Sequence, residues 1–345
     1  MTNRVNRQWL IAKRVDGPIT EANFRWAEGS VPEPGEGQFL ARNLWFDYGP
    51  TQRFLVGRAD LPESEQAAIP IGKPMGAIAV SEVLESRHPG FRPGELVQGH
   101  MGWEDYSVSD GTGFAPTYRV PEGVSPNWSL GPLGLTGLAA YFGVTEVARP
   151  KSGETFVISG AAGGVGSVAV QLAKLRGLRV IGIAGGPAKC DWLLQGAGID
   201  GAIDHRREDV GQRLTELCPD GIDIFFDNDG GPTLDLALER LRQGGRVVLC
   251  GGTARYSDTP VPPGPSNLLA LVMVNGRMEG LLARDYLPRL PEAVDALLPL
   301  LRSGRLTPKE DLLVGLRQAP RGLTRLFAGE NVGKQLLQMD SAPAG

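Results

Sequence analysis

With 345 residues, 41% of them hydrophobic and 21% charged, the chain is long enough for about two domains with sizeable cores. Its 35 basic and 39 acidic residues leave a net charge of −4 with no basic arm or charge block, which excludes an electrostatic footprint for nucleic acid or an anionic membrane. The three cysteines (Cys190, Cys218, Cys250) lack CxxC spacing and the three histidines (His88, His100, His205) are not paired at ligand spacing, so neither a disulfide framework nor a bound metal is expected.

The opening MTNRVNRQWLIAKRVDG has no continuous apolar core, and nowhere do about 20 uncharged apolar residues run together, so a cytoplasmic protein with no membrane partner is expected. Residues 8–120 read as β-rich. A strand over 8–14 meets the Asp16-Gly17 turn, Pro32-Glu33-Pro34-Gly35 is a stop before the alternating run 38–46, and Gly and Pro punctuate the rest up to a strand at 95–97. Many short strands of this kind predict a compact barrel-like domain. Trp45, Tyr48, Phe54, Trp103 and Tyr106 serve as core aromatics or as the wall of an apolar pocket.

From Ser125 the pattern turns helical, and the apolar run 130–142 predicts one helix ending near Gly143. Residues 155–159 form a β-branched strand that runs into Gly160, Gly163, Gly164 and Gly166. Val165, Val168, Ala169, Leu172, Ala173 and Leu175 follow at helical spacing, with Lys174 and Arg176 at the negative end, Gly177 as cap, and a second strand at 179–184. Alternation continues with a helix at 187–195, a strand at 201–203, a helix at 208–217, a strand at 222–226, a helix at 233–241 and a strand at 246–249. That order predicts an α/β, doubly wound parallel sheet over residues 126–304, with ligands at the strand C-terminal ends. Those ends carry Asp227-Asn228, Cys250-Gly251-Gly252 and Gly280. The segment 260–265, PVPPGP, reads as a surface excursion, and the apolar stretch 264–275 suits a strand or a helix equally. After an amphipathic helix at 287–301, a helix at 320–328 and a strand at 334–339 return the chain to its first domain, giving 1–125 with 305–345 as one unit.

A helix that starts at a glycine turn aims unpaired amides and the positive end of its dipole into the crevice, where a pyrophosphate is favoured. The spacing here is Gly160-x-x-Gly163-x-x-Gly166, with Ala161 in the place of the usual first glycine. An NAD site puts an acid about 20 residues further on, to hold the ribose 2′-hydroxyl. No acidic residue occurs between Gly166 and Asp191; the second strand instead ends in Gly185-Gly186-Pro187-Ala188-Lys189. A cation without a carboxylate favours NADP(H), although Lys189 also reads as a solvated lysine opening the next helix.

Taken together, PEPGEGQFLARNL, VQGHMGWEDYSV, LGPLGLTGLAAYFGV, GIAGGPAKCDWL, IFFDNDGG, RMEGLL and ENVGKQLL resemble, over nearly the whole chain, the zinc-free branch of the medium-chain dehydrogenase/reductase superfamily. That branch contains prostaglandin reductases, leukotriene B4 dehydrogenases and plant double-bond reductases. The resemblance implies a Rossmann domain beside a GroES-like substrate domain, and NADPH-dependent reduction of the C=C bond of conjugated aldehydes or ketones. It makes Tyr256 the catalytic hydrogen-bond donor and gives the pyrophosphate to Gly163, Gly164, Val165 and Gly166. Lys189 takes the 2′-phosphate, His205 stands where relatives have a tyrosine, and Asn228, Cys250, Gly251, Gly252, Leu281, Leu282 and Asn331 supply the remaining cofactor surface. It also implies a homodimer built by extending the parallel sheet. Three segments depart from the family pattern: Gly186 replaces a serine, Thr253-Ala254-Arg255 replaces the usual Ile-Ser before the tyrosine, and 49–54 replaces a DPYMRGRM-like phrase. These leave open a quinone, a specialised biosynthetic intermediate as substrate, or nucleotide binding without turnover.

Overall fold

The computed structural model describes residues 5–113, 115–256 and 263–340. It divides into two compact units: Met1–Leu130 with Asp311–Asn331 and Gln335–Gly345, and Gly131–Glu310 with Val332–Lys334. The sequence expectation set the borders at 125 and 305 and did not separate the three-residue stretch Val332–Lys334.

The first unit begins with β1 (Val5–Ile11) and β2 (Phe24–Ser30), an antiparallel pair in which Trp9 faces Trp26 edge-on at 5.4 Å. Strand β3 (Phe39–Asp47) leads to α1 (Gln52–Val56), followed by β4 (Gly76–Ser86), β5 (Leu96–Gly102), β6 (Tyr106–Ser109), β7 (Tyr118–Arg119) and α2 (Pro126–Leu130). Strand β4 is long because no Gly or Pro interrupts it after Gly76, and its residues are mostly buried on both faces. Phe39, Phe46, Tyr48 and Trp103 form the centre of the core; Trp103 lies 5.2 Å from Phe24 and 5.9 Å from Tyr48 between ring centres. Tyr48, Trp103 and Tyr106 are therefore core residues and Trp45 packs at a core margin, whereas Phe54 is 53% exposed.

The second unit opens with α3 (Leu135–Phe142) and then alternates β8 (Thr155–Ile158), α4 (Gly164–Leu175), β9 (Arg179–Ala184), α5 (Pro187–Asp191), β10 (Gly201–Asp204), α6 (Val210–Leu217), β11 (Ile222–Asp227), α7 (Pro232–Leu238), β12 (Leu241–Leu249), α8 (Leu269–Met273), β13 (Arg277–Gly280) and α9 (Leu290–Arg302). The six strands are parallel in the order β10-β9-β8-β11-β12-β13. Central strands covered on both faces should be mostly apolar, as in β8, whose four residues are all buried and only Thr155 polar, and in β11 apart from Asp223 and Asp227. The strand order reverses between β8 and β11, and a doubly wound sheet opens its ligand crevice at that reversal.

Three local expectations change. The single helix at 130–142 is broken at residues 131–134, where Pro132 cannot continue α2 and Gly134 caps α3. Gly143 is the C-cap of α3, as expected, but the chain does not break there: its φ is −59°, a π turn carries it on to Val147, and a Cβ at 143 would lie 2.6 Å from the Phe226 ring, so close packing explains the glycine. The helix at 233–241 stops at Leu238, and Leu241 already opens β12, whose residues 242–245 loop out between the pairs Ile222–Leu241 and Ile224–Arg246. The stretch 264–275 contains the helix α8; of the segment 260–265, residues 260–262 lie outside the described residues.

The chain then adds β14 (Glu310–Val314), unmarked by any alternation in the sequence, α10 (Ala319–Phe327) and β15 (Lys334–Gln338), which pairs with β3. Between α10 and β15, Gly333 donates its amide to the Ala162 carbonyl at 2.8 Å and bridges Gly163, and the Lys334 amide donates to the Lys309 carbonyl at 2.7 Å.

Candidate active site

The glycine turn at the end of β8 sits at the sheet's reversal. Gly163 is the N-cap of α4 and offers no side-chain cap, so the leading amides of Gly164, Val165 and Gly166 have no acceptor within the helix. Gly166 is required by close approach: a Cβ there would sit 2.3 Å from the Gly160 carbonyl and 2.6 Å from that of Ala161. The helix is thereby drawn tight against the strand end. Together these features leave an open helix mouth lined by unpaired amides, an environment that favours an anion.

To one side lie the ends of β9 and β10. Lys189 is half-buried in the first turn after Gly186, its amide bonded to the Gly186 carbonyl at 3.2 Å. His205 is exposed, and its amide pairs with the Ala184 carbonyl at 3.1 Å, which fixes the turn after β10 beside the turn after β9. The buried Asp204 accepts from the amides of both turns, Gly186 at 2.8 Å and Arg206 at 3.1 Å, so its carboxylate is engaged inward.

To the other side, the ends of β11 and β12 are stitched together. Asp227 is fully buried; its Oδ1 accepts from the Ser159 hydroxyl at 2.8 Å and from the amides of Gly230 at 2.9 Å and Asp229 at 3.2 Å, while Oδ2 has no partner. Burial raises this carboxyl above the usual aspartate value in spite of those donors. The Ser159 hydroxyl accepts in turn from the Asn228 amide at 2.9 Å, and the Asn228 side chain donates to the Ser159 carbonyl at 2.7 Å. The amides of Cys250 and Gly251 bond to the Asp227 carbonyl at 2.8 and 3.1 Å, and the Thr253 hydroxyl reaches the Asp229 carboxylate at 2.6 Å. Tyr256 follows a short 3₁₀ turn, Thr253–Arg255; it is half-buried, and burial raises its phenol above the ordinary tyrosine value, so the hydroxyl keeps its proton. Beyond β13, the Leu281 amide pairs with the Leu249 carbonyl at 2.9 Å. Leu281 and the 49% exposed Leu282 line an open recess of about 510 Å³ with Leu249, Gly280, Asp285 and Tyr286.

Comparison with known proteins finds matches along almost the full length of the chain. Residues 7–117 match the family described as "N-terminal domain of oxidoreductase", and residues 164–301 the family described as "Zinc-binding dehydrogenase". The chain is 36% identical over 339 residues to the NADPH-dependent curcumin reductase of Escherichia coli, covering 97% of both. It is 36% identical over 340 residues to a 2-alkenal reductase (NADP(+)-dependent) of Nicotiana tabacum, again covering 97% of both. The crystal structure of CurA in complex with NADPH from Vibrio vulnificus superimposes with a TM-score of 0.88 at 34% identity, covering 97% of this chain and 99% of that one. The chain belongs to the zinc-free double-bond reductases of the medium-chain dehydrogenase/reductase superfamily. It is an NADP-dependent oxidoreductase, with the Rossmann and GroES-like domains of that superfamily. Among the described residues no group of three or more His, Cys, Asp or Glu side chains could hold a metal ion.

In this medium-chain reductase, every expected site residue of the second unit lies at the C-terminal end of a strand of one sheet. Across the sheet they run from His205 and Lys189 through residues 163–166 and Asn228 to Cys250, Gly251, Gly252 and Tyr256, and finally Leu281 and Leu282. Asn331, 5% exposed, belongs to the first unit and directly precedes Val332–Lys334. Sequence reasoning missed Ser159 and Asp227 as the pair that holds the Asn228 turn, because their partnership spans 68 residues. It also missed Gly333, which completes the edge of the glycine turn from the far end of the chain.

Proposed function

We propose that this oxidoreductase reduces the C=C bond of α,β-unsaturated aldehydes or ketones, with hydride delivered to the β-carbon and Tyr256 donating a hydrogen bond to the oxygen that becomes an enolate. The observation that carries the reading is a phenol kept protonated by burial, on the loop after β12, in a chain like NADP-dependent alkenal and curcumin reductases from end to end. NADPH, when bound, supplies the hydride. Tyr256 holds a proton at its hydroxyl oxygen through the neutral range and offers it where negative charge develops, the task of an oxyanion-hole donor. Gly163, Gly164, Val165 and Gly166 would hold the pyrophosphate on uncapped amides, and Lys189 and His205 the 2′-phosphate end. Asn228, Cys250, Gly251, Gly252, Leu281, Leu282 and Asn331 would line the remaining cofactor surface. The glycine cradle fits the group, because at Gly163 no side chain fills the helix mouth.

A panel of a 2-alkenal, a cyclic enone and a quinone, followed by NADPH absorbance, tests the reading. Consumption with the alkenal or enone is expected, together with β-reduced product; turnover of the quinone alone would overturn it. Phe54, exposed in the divergent 49–54 segment, is the first position to vary if the enones differ in rate.

The same reading includes a homodimer in the cytoplasm. Strand β13 ends the described parallel sheet, and Leu269, Val272 and Met273 of α8 are 69–74% exposed close by in sequence, an apolar surface suited to burial between two copies. Light scattering should give twice the chain mass, and Val272→Glu should shift it toward one. Three cysteines without disulfides suit a reducing compartment, and cell fractionation tests it.

A further inference from the structure

The seat for the 2′-phosphate contains one position that weakens it. Where the family pattern has a serine, this chain has Gly186, with φ +99° and open space around the place a Cβ would occupy. That substitution removes one hydroxyl donor. Lys189 alone brings a single positive charge to a group carrying about −1.5 to −2 at neutral pH.

A second cation comes from the neighbouring turn. A Cβ built on Gly185 would fall 2.8 Å from Arg206 Nε and 2.8 Å from His205 Nε2. Both side chains therefore reach back from the end of β10 across the end of β9, and only a glycine at 185 leaves them room. The backbone supports this placement: Asp204 Oδ1 ties the Gly186 amide to the Arg206 amide, so the two turns move as one piece. The adjacent Arg207 has its Nε 3.9 Å from the other oxygen of Asp204, Oδ2, and Glu208 engages Arg213 at 2.8 Å. Around the Gly185-Gly186 turn stand Lys189 on α5 and His205 and Arg206 on the β10 turn, and Asp204 commits its Oδ1 to the Gly186 and Arg206 amides.

Resting on the NADP assignment, we infer that Arg206 is the second cation of the 2′-phosphate seat. It takes the place of the hydroxyl that Gly186 lacks and sets the preference for the phosphorylated cofactor. A guanidinium suits the role because its planar fork can present two N–H donors to phosphate oxygens at once. Room for the fork is the physical reason for glycine at 185, and loss of the serine at 186 is tolerated because the charge arrives from β10.

The test measures binding, not turnover. Dissociation constants for 2′,5′-ADP, 5′-AMP, NADPH and NADH are measured by calorimetry or fluorescence quenching on the full-length protein and on Arg206→Ala, Arg206→Lys and Lys189→Ala. Arg206 lies on an exposed turn, and a melting curve for each variant establishes that the fold is kept. Arg206→Ala is expected to weaken 2′,5′-ADP and NADPH by about tenfold or more, the effect of losing a charge-assisted hydrogen bond, while 5′-AMP and NADH change less than about twofold. Arg206→Lys should recover part of the loss. If Arg206→Ala binds 2′,5′-ADP like the parent, or loses 5′-AMP in proportion, the assignment of Arg206 is wrong while that of NADP stands. If the parent itself fails to prefer 2′,5′-ADP over 5′-AMP, the whole seat is wrong, and the two failures are told apart by the parent alone.

Discussion

The two halves of the crevice edge use opposite physics. On the β8, β9 and β10 side the chain presents uncapped amides and long cationic side chains on short, open turns, features that attract an anion and leave its surroundings adjustable. On the β11, β12 and β13 side it presents a buried carboxyl and a set of backbone amides, tied to one another and to Ser159 at the end of β8, so the turns after β11 and β12 are fixed before anything binds. One half is built for affinity and the other for position. Such a division suits a reductase: the nucleotide's charged end needs to be held, whereas the end that reacts needs to be held still.

Substitutions should therefore divide by half. The largest effect belongs to Tyr256→Phe, expected to lower turnover by about 10² to 10³ while NADPH affinity stays within about twofold. Steady-state rates beside fluorescence titration check this, and equal turnover would remove Tyr256 from the chemistry. Next is Asp227→Ala, which strips the acceptor from the Ser159 hydroxyl and the Gly230 amide; a loss of about 2–4 kcal/mol in unfolding free energy is expected by denaturant titration. Asp227→Asn carries the sign test. A carboxyl raised by burial contributes its stability below the unfolded aspartate value and loses it as pH rises through the folded one, so the neutral amide should stay within about 1 kcal/mol of the parent at pH 7 and flatten the pH dependence in the acid range.

On the opposite half, Lys189→Ala should cost about tenfold in NADPH affinity, spare NADH and leave turnover at saturation unchanged; an equal loss for both nucleotides would contradict the division. The smallest effect is expected from thiol chemistry. Burial pushes Cys190 and Cys218 up to about 11 and Cys250 up to about 12, so all three stay protonated at pH 7.5, and iodoacetamide should leave activity and mass almost unchanged over an hour.

How much of this was legible in the sequence followed the range of the forces involved. Strand β9 coincides with the expected 179–184 because Gly177 and Gly185 bracket it, and the cradle was readable because glycines mark close approaches within a few residues. Lys189 enters the proposal from a missing acid and a present cation. Gly143 marked the end of α3, but the π turn that follows and the Phe226 ring that requires a glycine there, far away in sequence, were not legible. Pro132 was overlooked inside an apolar run that looked continuous. Arg206 had no periodicity to announce it: one charge among several on an exposed turn becomes informative only when the neighbouring strand end is seen beneath it.

The Val332–Lys334 stretch gives the molecule a property in time. Gly333 bonds to Ala162 and bridges Gly163, so the glycine turn that begins at residue 160 gains this edge only when residue 333 has been added. During synthesis residue 333 is added after every described strand of the parallel sheet, and a product that stops at α10 carries those strands without that edge. Under the proposed cofactor assignment, a chain cut before residue 333 should therefore gain less stability from the nucleotide than one that includes it.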